Sequence, residues 1–229
     1  MEFILQGILQ ALELLVQGDR ETYSAIMTTV KVSSCSMAAS LLLGLPLGYL
    51  LGYFSFPGRN GVRLIVDTLL ALPTVFIGLV VYAFLSNQGP LGNFGMLFTI
   101  TGIAIGQTIL ALPIVIALTA TAVESLDRSL RLTLISLGAS QKQIFITSLW
   151  EARLGLLVAA IAASGRVLTE VGISMMVGGN IKWHTRTITT AIALETNKGQ
   201  FATGIALGLV LLAMAFSINL SLSFLRKRA

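Results

Sequence analysis

Arg166 and Glu170 stand four residues apart inside a long apolar run, within the segment GRVLTEVGISMMVGGNI (165–181). On a continuous helix that spacing places both side chains on one face. A charge at the centre of a bilayer costs on the order of 2.5–3.5 kcal/mol on insertion scales, so such residues face protein or water. Two chemistries fit. The two groups can form an ion pair that fixes helix packing. They can also line a path for an anion, with Arg166 supplying the favourable field. Residue types alone leave both open. Met175, Met176, Gly178 and Gly179 follow at the end of the run. Glycines there permit close packing or a re-entrant turn. Soft methionine side chains can seal a pore, or simply fill a membrane core.

Other chemistries are excluded. His184 is the single histidine and Cys35 the single cysteine. A histidine-paired metal site, an internal disulfide and a cysteine-held metal cluster are therefore ruled out. No Gly-x4-Gly-Lys-Ser/Thr stretch is present, so this chain holds no P-loop for ATP, and no His-Glu-x-x-His occurs. No catalytic, cofactor-binding or metal residue is assigned.

The elements that carry these residues follow from composition. The chain has 229 residues, 55% hydrophobic and 11% charged, with mean hydropathy +0.88. Soluble domains carry about 25% charged residues. The deficit implies an all-α integral membrane protein, because backbone groups in lipid must pair within a helix or a closed barrel. Alternating strands of about ten residues, which a barrel needs, are absent. Five apolar stretches, at 23–54, 62–85, 96–123, 154–177 and 201–225, suffice for about five transmembrane helices. Pro46, Pro73 and Pro113 fall inside the first three and predict kinks. Residues 2–17 alternate apolar and polar positions at helical spacing, so 1–22 reads as an N-terminal interfacial helix before a membrane domain at 23–226. The start of the chain lacks a basic region and a small-residue cleavage site, so no cleaved signal peptide is expected.

Lys and Arg distribute unevenly. Arg59, Arg63, Arg128, Arg131, Lys142, Arg153, Arg226, Lys227 and Arg228 fall on one side, against Arg20, Lys182, Arg186 and Lys198 on the other. The net charge of +5 thus reports loop topology and not nucleic-acid binding. The bias predicts an external N-terminus and a cytoplasmic C-terminus. Lys182, His184, Arg186 and Lys198, against Glu195, would raise the local concentration of an anion outside. Headgroup contact or docking of an acidic partner explains them equally well.

Residues 136–155, SLGASQKQIFITSLWEARLG, interrupt the apolar pattern. Glu124 and Arg128, and Asp127 and Arg131, form acid-first pairs on a helix expected to run out of the membrane to about Leu137. Gly138 is placed to stop it in a left-handed conformation. Ser140 and Gln143, three residues apart, predict a capped new helix over 141–150. Ile144, Phe145, Leu149 and Trp150 give that short helix an apolar ridge. It can rest on headgroups or dock a cytoplasmic partner.

The corner resembles the cytoplasmic loop of permease subunits in binding-protein-dependent ABC importers, which carries Glu-Ala-Ala, three residues, then Gly, often as Gly-Ala-Ser. Gly138, Ala139 and Ser140 match. Leu132-Thr133-Leu134 replaces Glu-Ala-Ala, and Glu151 stands where the family has proline. TTVKVSSCSMAASLLLGLPLGYLLG (28–52) and ALPTVFIGLVVYAFLSNQGPLG (71–92) resemble the first two core spans of the oxyanion branch. Residues 165–181 and 184–201, with Trp150 to Arg153, are most similar to tungstate-type permeases, relatives of the molybdate ones.

This resemblance implies a type I ABC importer permease fold and a prokaryotic plasma-membrane location, the inner membrane in a Gram-negative cell. It implies oxyanion import by alternating access, most closely of tungstate or molybdate. The segment at about 131–150, with Leu137, Gly138, Ala139, Ser140, Gln143 and Phe145, would couple to an ATPase. Arg166, Glu170, Met175, Met176, Gly178 and Gly179 would line or gate the pathway. Implied partners are a cytoplasmic ATPase dimer that holds ATP and Mg, an external oxyanion-binding protein, a second copy of the chain and the bilayer. An ATP-independent channel or carrier is an alternative. So is an intramembrane protease, since Ala162-Ala163-Ser164-Gly165 resembles the serine element of rhomboid-like proteases.

Overall fold

The computed structural model describes residues 2–126 and 128–228, and all regular structure among them is helical. An opening helix α1 (Glu2–Val16) precedes α2 (Arg20–Tyr53). The Asp19 carboxylate caps α2 by accepting from Thr22 N at 2.7 Å. This cap starts the helix three residues earlier than its apolar run. At 1.5 Å per residue, its 34 residues extend about 51 Å, well beyond an apolar bilayer core of about 30 Å.

The second apolar stretch is not one helix. It divides into α3 (Arg59–Leu69) and α4 (Thr74–Leu85), bent by 98°. Pro73 is the cause. It stands at the N-cap of α4 (φ −64, ψ 129) and not inside a span. It offers no N–H and keeps Leu72 out of the helical region. Pro46 and Pro113 do lie within helices, in α2 and in α5 (Ile100–Glu124).

α5 ends at Glu124, and α6 (Arg128–Ser136) is separate from it. The expected helix continuing to Leu137 is therefore broken at Ser125, whose hydroxyl donates back to Ala122 O at 2.8 Å. Glu124 instead engages Arg59 (2.5 Å) and Arg63 (3.0 Å), which clamps the start of α3 to the end of α5. Asp127, and with it the Asp127–Arg131 pair, lies outside the described residues, as do the side chains of Arg128 and Arg131.

The remaining helices are α7 (Gln141–Glu151), α8 (Arg153–Leu168), α9 (Gly172–Gly178), α10 (Ile188–Asn197) and α11 (Phe201–Arg228). Three helices are long and apolar enough to cross a membrane, and up to five spans result if each bent pair counts as one.

The bundle is organised around α2 and α5, which run parallel. Residue types explain the close approach. Ser36, Ser40, Gly44, Gly48 and Gly52 recur every fourth residue, and small residues let membrane helices meet backbone to backbone. A Cβ on Gly48 would sit 2.7 Å from Ile116 O, and one on Gly52 would sit 2.6 Å from Ala120 O. Higher in the seam, the Ser36 hydroxyl donates to the Gln107 side-chain carbonyl (3.2 Å). α4 and α9 close one flank through Ile77, Val81, Leu110, Ile173 and Val177. α10 and α11 close another through Ile188, Ala191, Leu207 and Val210, packed on Ala25. α1 leans on α11, with Gln10 Nε2 donating to Thr203 Oγ1 at 3.1 Å.

Candidate coupling and pathway sites

The corner at 137–140 has the conformation its residues imply. Gly138 lies at φ 75, where a side chain is strained. Its N–H donates to Ile135 O, and Ala139 N–H donates to Leu134 O, both at 3.0 Å, so the last carbonyls of α6 are satisfied. Ser140 N donates to Gln143 Oε1 (2.8 Å), and Gln143 N donates back to Ser140 Oγ (3.4 Å). That reciprocal cap starts α7.

α7 presents two apolar faces. Ile144 (2% exposed) and Ser148 are buried, and Phe145 and Leu149 pack into a cluster with Tyr49, Val123 and Ala152. Of the expected ridge, then, only Trp150 points outward. The exposed apolar side chains here are Leu132 and Ile135 on α6, Leu137 (77% exposed) at the corner, and Ile146 and Trp150 (69% exposed) on α7. Beside them, a cavity of about 640 Å³ opens between Tyr53, Arg59, Glu124, Leu130, Leu132 and Ser148.

Arg166 and Glu170 are not paired. α8 stops at Leu168, so the two residues no longer share a helical face. Thr169 seals the break, its hydroxyl donating to Gly165 O at 3.0 Å. Glu170 is 4% exposed, and its Oε1 accepts from Ile173 N at 2.9 Å, capping α9. Its backbone carbonyl accepts from Thr189 Oγ1 (2.8 Å), which ties the break to α10. Arg166 is exposed in the last turn of α8, and no ion pair joins it to Glu170 among the described residues. A cation at a helix C-terminus is favoured by the aligned peptide dipoles.

The methionines divide. Met176 packs against the α4–α9 cluster and beside Gly78, whereas Met175 is exposed. Gly179 ends α9 at φ 69, and Gly178 O accepts from Thr185 Oγ1 at 2.5 Å. Gln107, which the sequence did not single out, donates to Ser174 Oγ at 3.4 Å and so links α5 to α9.

At the same end, the cationic loop is largely neutralised. Glu21 accepts both Lys182 (2.7 Å) and Arg186, and Lys198 pairs with Glu195 at 2.8 Å. The expected positive surface is thereby reduced, since two carboxylates offset three of its cations, and Arg186 is turned further inward onto Asn180 Oδ1 (3.2 Å). Among the described residues no hydrogen bond joins Ser164 to His184, the single histidine a serine hydrolase here could use as its base, and no cluster of three or more potential metal ligands occurs.

Known proteins set these features in a family. The chain is 48% identical to the tungstate uptake system permease protein TupB of Campylobacter jejuni, over 96% of this chain and 92% of that one. It is 37% identical to TupB of Peptoclostridium acidaminophilum, over 96% of both chains. Its fold matches the inward-facing MetNI methionine ABC transporter with TM-score 0.74 and 20% identity, covering 91% of this chain and 95% of that one. With residues 44–229 matching its defining pattern, the chain belongs to the binding-protein-dependent transport system inner membrane components, as a helical permease subunit with the type I ABC importer fold.

Proposed function

We propose that the chain is the membrane-spanning subunit of an ATP-driven importer of tungstate. The observation that carries this reading is the capped elbow between α6 and α7, with its exposed apolar surface of Leu132, Ile135, Leu137, Ile146 and Trp150. Exposed apolar faces mark contacts with a partner or with the membrane, and membership of the importer permease family supports the partner. On this reading the elbow is cytoplasmic and seats in a groove of a separate ATPase that binds ATP and Mg. Leu137, Gly138, Ala139, Ser140 and Gln143 form the docking corner, and Phe145 couples the same helix inward to the bundle, packed against Tyr49. The substrate assignment is supported by the 48% identity to a tungstate permease. Molybdate is the neighbouring dianion that the same pathway would accept.

Two copies form the pathway, and closure of the ATPase pair swings them between inward- and outward-open states. An external binding protein delivers the anion. Arg166, exposed and free of Glu170, offers the passing dianion a favourable field. Met175 and Met176, with the Gly178-Gly179 turn, form the seal.

Gly138→Arg tests the docking corner. A Cβ there meets nothing within 4 Å, so the substitution has room, but it places a bulky cation at positive φ in the docking surface. The left-handed conformation costs about 1–2 kcal/mol. The variant is expected to insert in the membrane, lose co-purification of the ATPase and lose ATP-stimulated tungstate uptake in proteoliposomes. Wild-type uptake by Gly138→Arg would remove the docking assignment.

A further inference from the structure

The inner face of α7 meets α2 through aromatic rings. Tyr49 is 3% exposed and stands between two of them. Its ring lies edge-on to Phe145, with centroids 4.6 Å apart at 86°, and stacked on Tyr53, 4.9 Å apart at 16°. We propose that the Phe145–Tyr49 contact is the joint through which α7 moves the α2–α5 pair, so that both rings are positioning residues for transport. The inference rests on α7 being the ATPase-coupling element.

Three observations carry it. First, an edge-to-face ring pair is directional, and a close-packed interior transmits displacement instead of absorbing it. Second, Tyr49 lies next to Gly48, where α2 approaches the α5 backbone too closely for any Cβ. Tyr49 therefore cannot shift without carrying both helices. Third, the far end of the pair reaches the methionine turn. Gln107 of α5 joins Ser36 of α2 (3.2 Å) to Ser174 of α9 (3.4 Å), and Met175 and Met176 follow directly. The elbow and the turn are thus connected by a continuous series of packed or hydrogen-bonded groups. α7 has a second route, its direct link to α8 across a 66° bend. Side-chain variants at the joint leave that covalent route intact, which makes the two routes separable.

The test uses the complete transporter, with the ATPase and binding protein, reconstituted in proteoliposomes. ATP hydrolysis and radiolabelled tungstate uptake are measured together for Phe145→Leu, Tyr49→Leu, the double variant and Phe145→Tyr. Leucine keeps apolar volume and removes the ring, while tyrosine keeps the ring. Both single leucine variants should still co-purify the ATPase and hydrolyse ATP. Their uptake per ATP should fall at least about fivefold, the lower range of allosteric coupling. Phe145→Tyr should retain the wild-type ratio. The double variant should fall no further than the singles, as expected for two parts of one contact. Unchanged uptake per ATP in either leucine variant would overturn the joint. Loss of ATPase binding in those variants would overturn it too, by making the rings mere supports of the elbow. A wild-type chain that transports tungstate with no ATPase present would instead overturn the coupling reading itself.

Discussion

Glu170 shows how a carboxylate can reside in a membrane protein without a cationic partner. Its Oε1 accepts from Ile173 N at the start of α9, so its position is set by a helix break and not by Arg166. An unmade bond at a buried amide costs about 1–3 kcal/mol. Glu170→Gln keeps a carbonyl oxygen for Ile173 N and should melt close to wild type in detergent. Glu170→Leu leaves that N–H without its acceptor and should lower Tm. Arg166→Ala should do the reverse, leaving Tm unchanged because the side chain is exposed, and reducing tungstate uptake. Equal Tm for the leucine and glutamine variants would mean that the carboxylate does not hold the break. Wild-type uptake by Arg166→Ala would remove that residue from the pathway.

At the scale of elements, the α2–α5 seam is the most constrained contact in the bundle. Gly48→Val would press a Cβ to 2.7 Å from the Ile116 carbonyl, a backbone atom that cannot turn aside, and to 2.6 Å from Thr119 Cβ. Overpacking of this kind costs about 1–3 kcal/mol. Gly48→Val should therefore lower Tm sharply, whereas Gly61→Val, at a glycine with open space around it, should not. Comparable Tm values for the two variants would show that the seam adapts. The long apolar helices were legible in the sequence, because continuous hydropathy marks them, whereas α10 falls between the apolar stretches and was not. The breaks were not legible either, because hydropathy stays high through Ala71-Leu72-Pro73, and because Glu170 reads equally as a polar residue on an unbroken span. The expected Arg166–Glu170 pair, one of the two readings of that spacing, assumed i,i+4 geometry, which needs an unbroken helix, and the chain breaks after Leu168. The elbow was legible because Gly138, Ser140 and Gln143 each have a local conformational reason to be there. The seam was present in the four-residue spacing of Ser36 to Gly52, but small residues are common in apolar runs and hydropathy does not register them. Gln107 carried a clearer signal, as an amide within an apolar helix.

At the scale of the whole molecule, the proposed orientation rests on a difference between the two ends. One end gathers Arg59 and Arg63 around Glu124, close to the elbow and α7. The other gathers Glu21, Lys182, Arg186, Glu195 and Lys198 around a cleft of about 480 Å³. The excess of cations, nine against four, falls with the elbow. Positive loops stay in the cytoplasm. The proposed coupling also needs the elbow on that side, so charge bias and coupling call for the same orientation from independent physics. Single cysteines decide it. In a Cys35→Ser background, Asn197→Cys, exposed at the cleft end, should react with a membrane-impermeant maleimide in intact cells. Lys142→Cys, exposed on α7, should react only after the membrane is opened. The reverse pattern would place the elbow outside, where no nucleotide-driven partner could drive it, and transport would then have to be powered by another source.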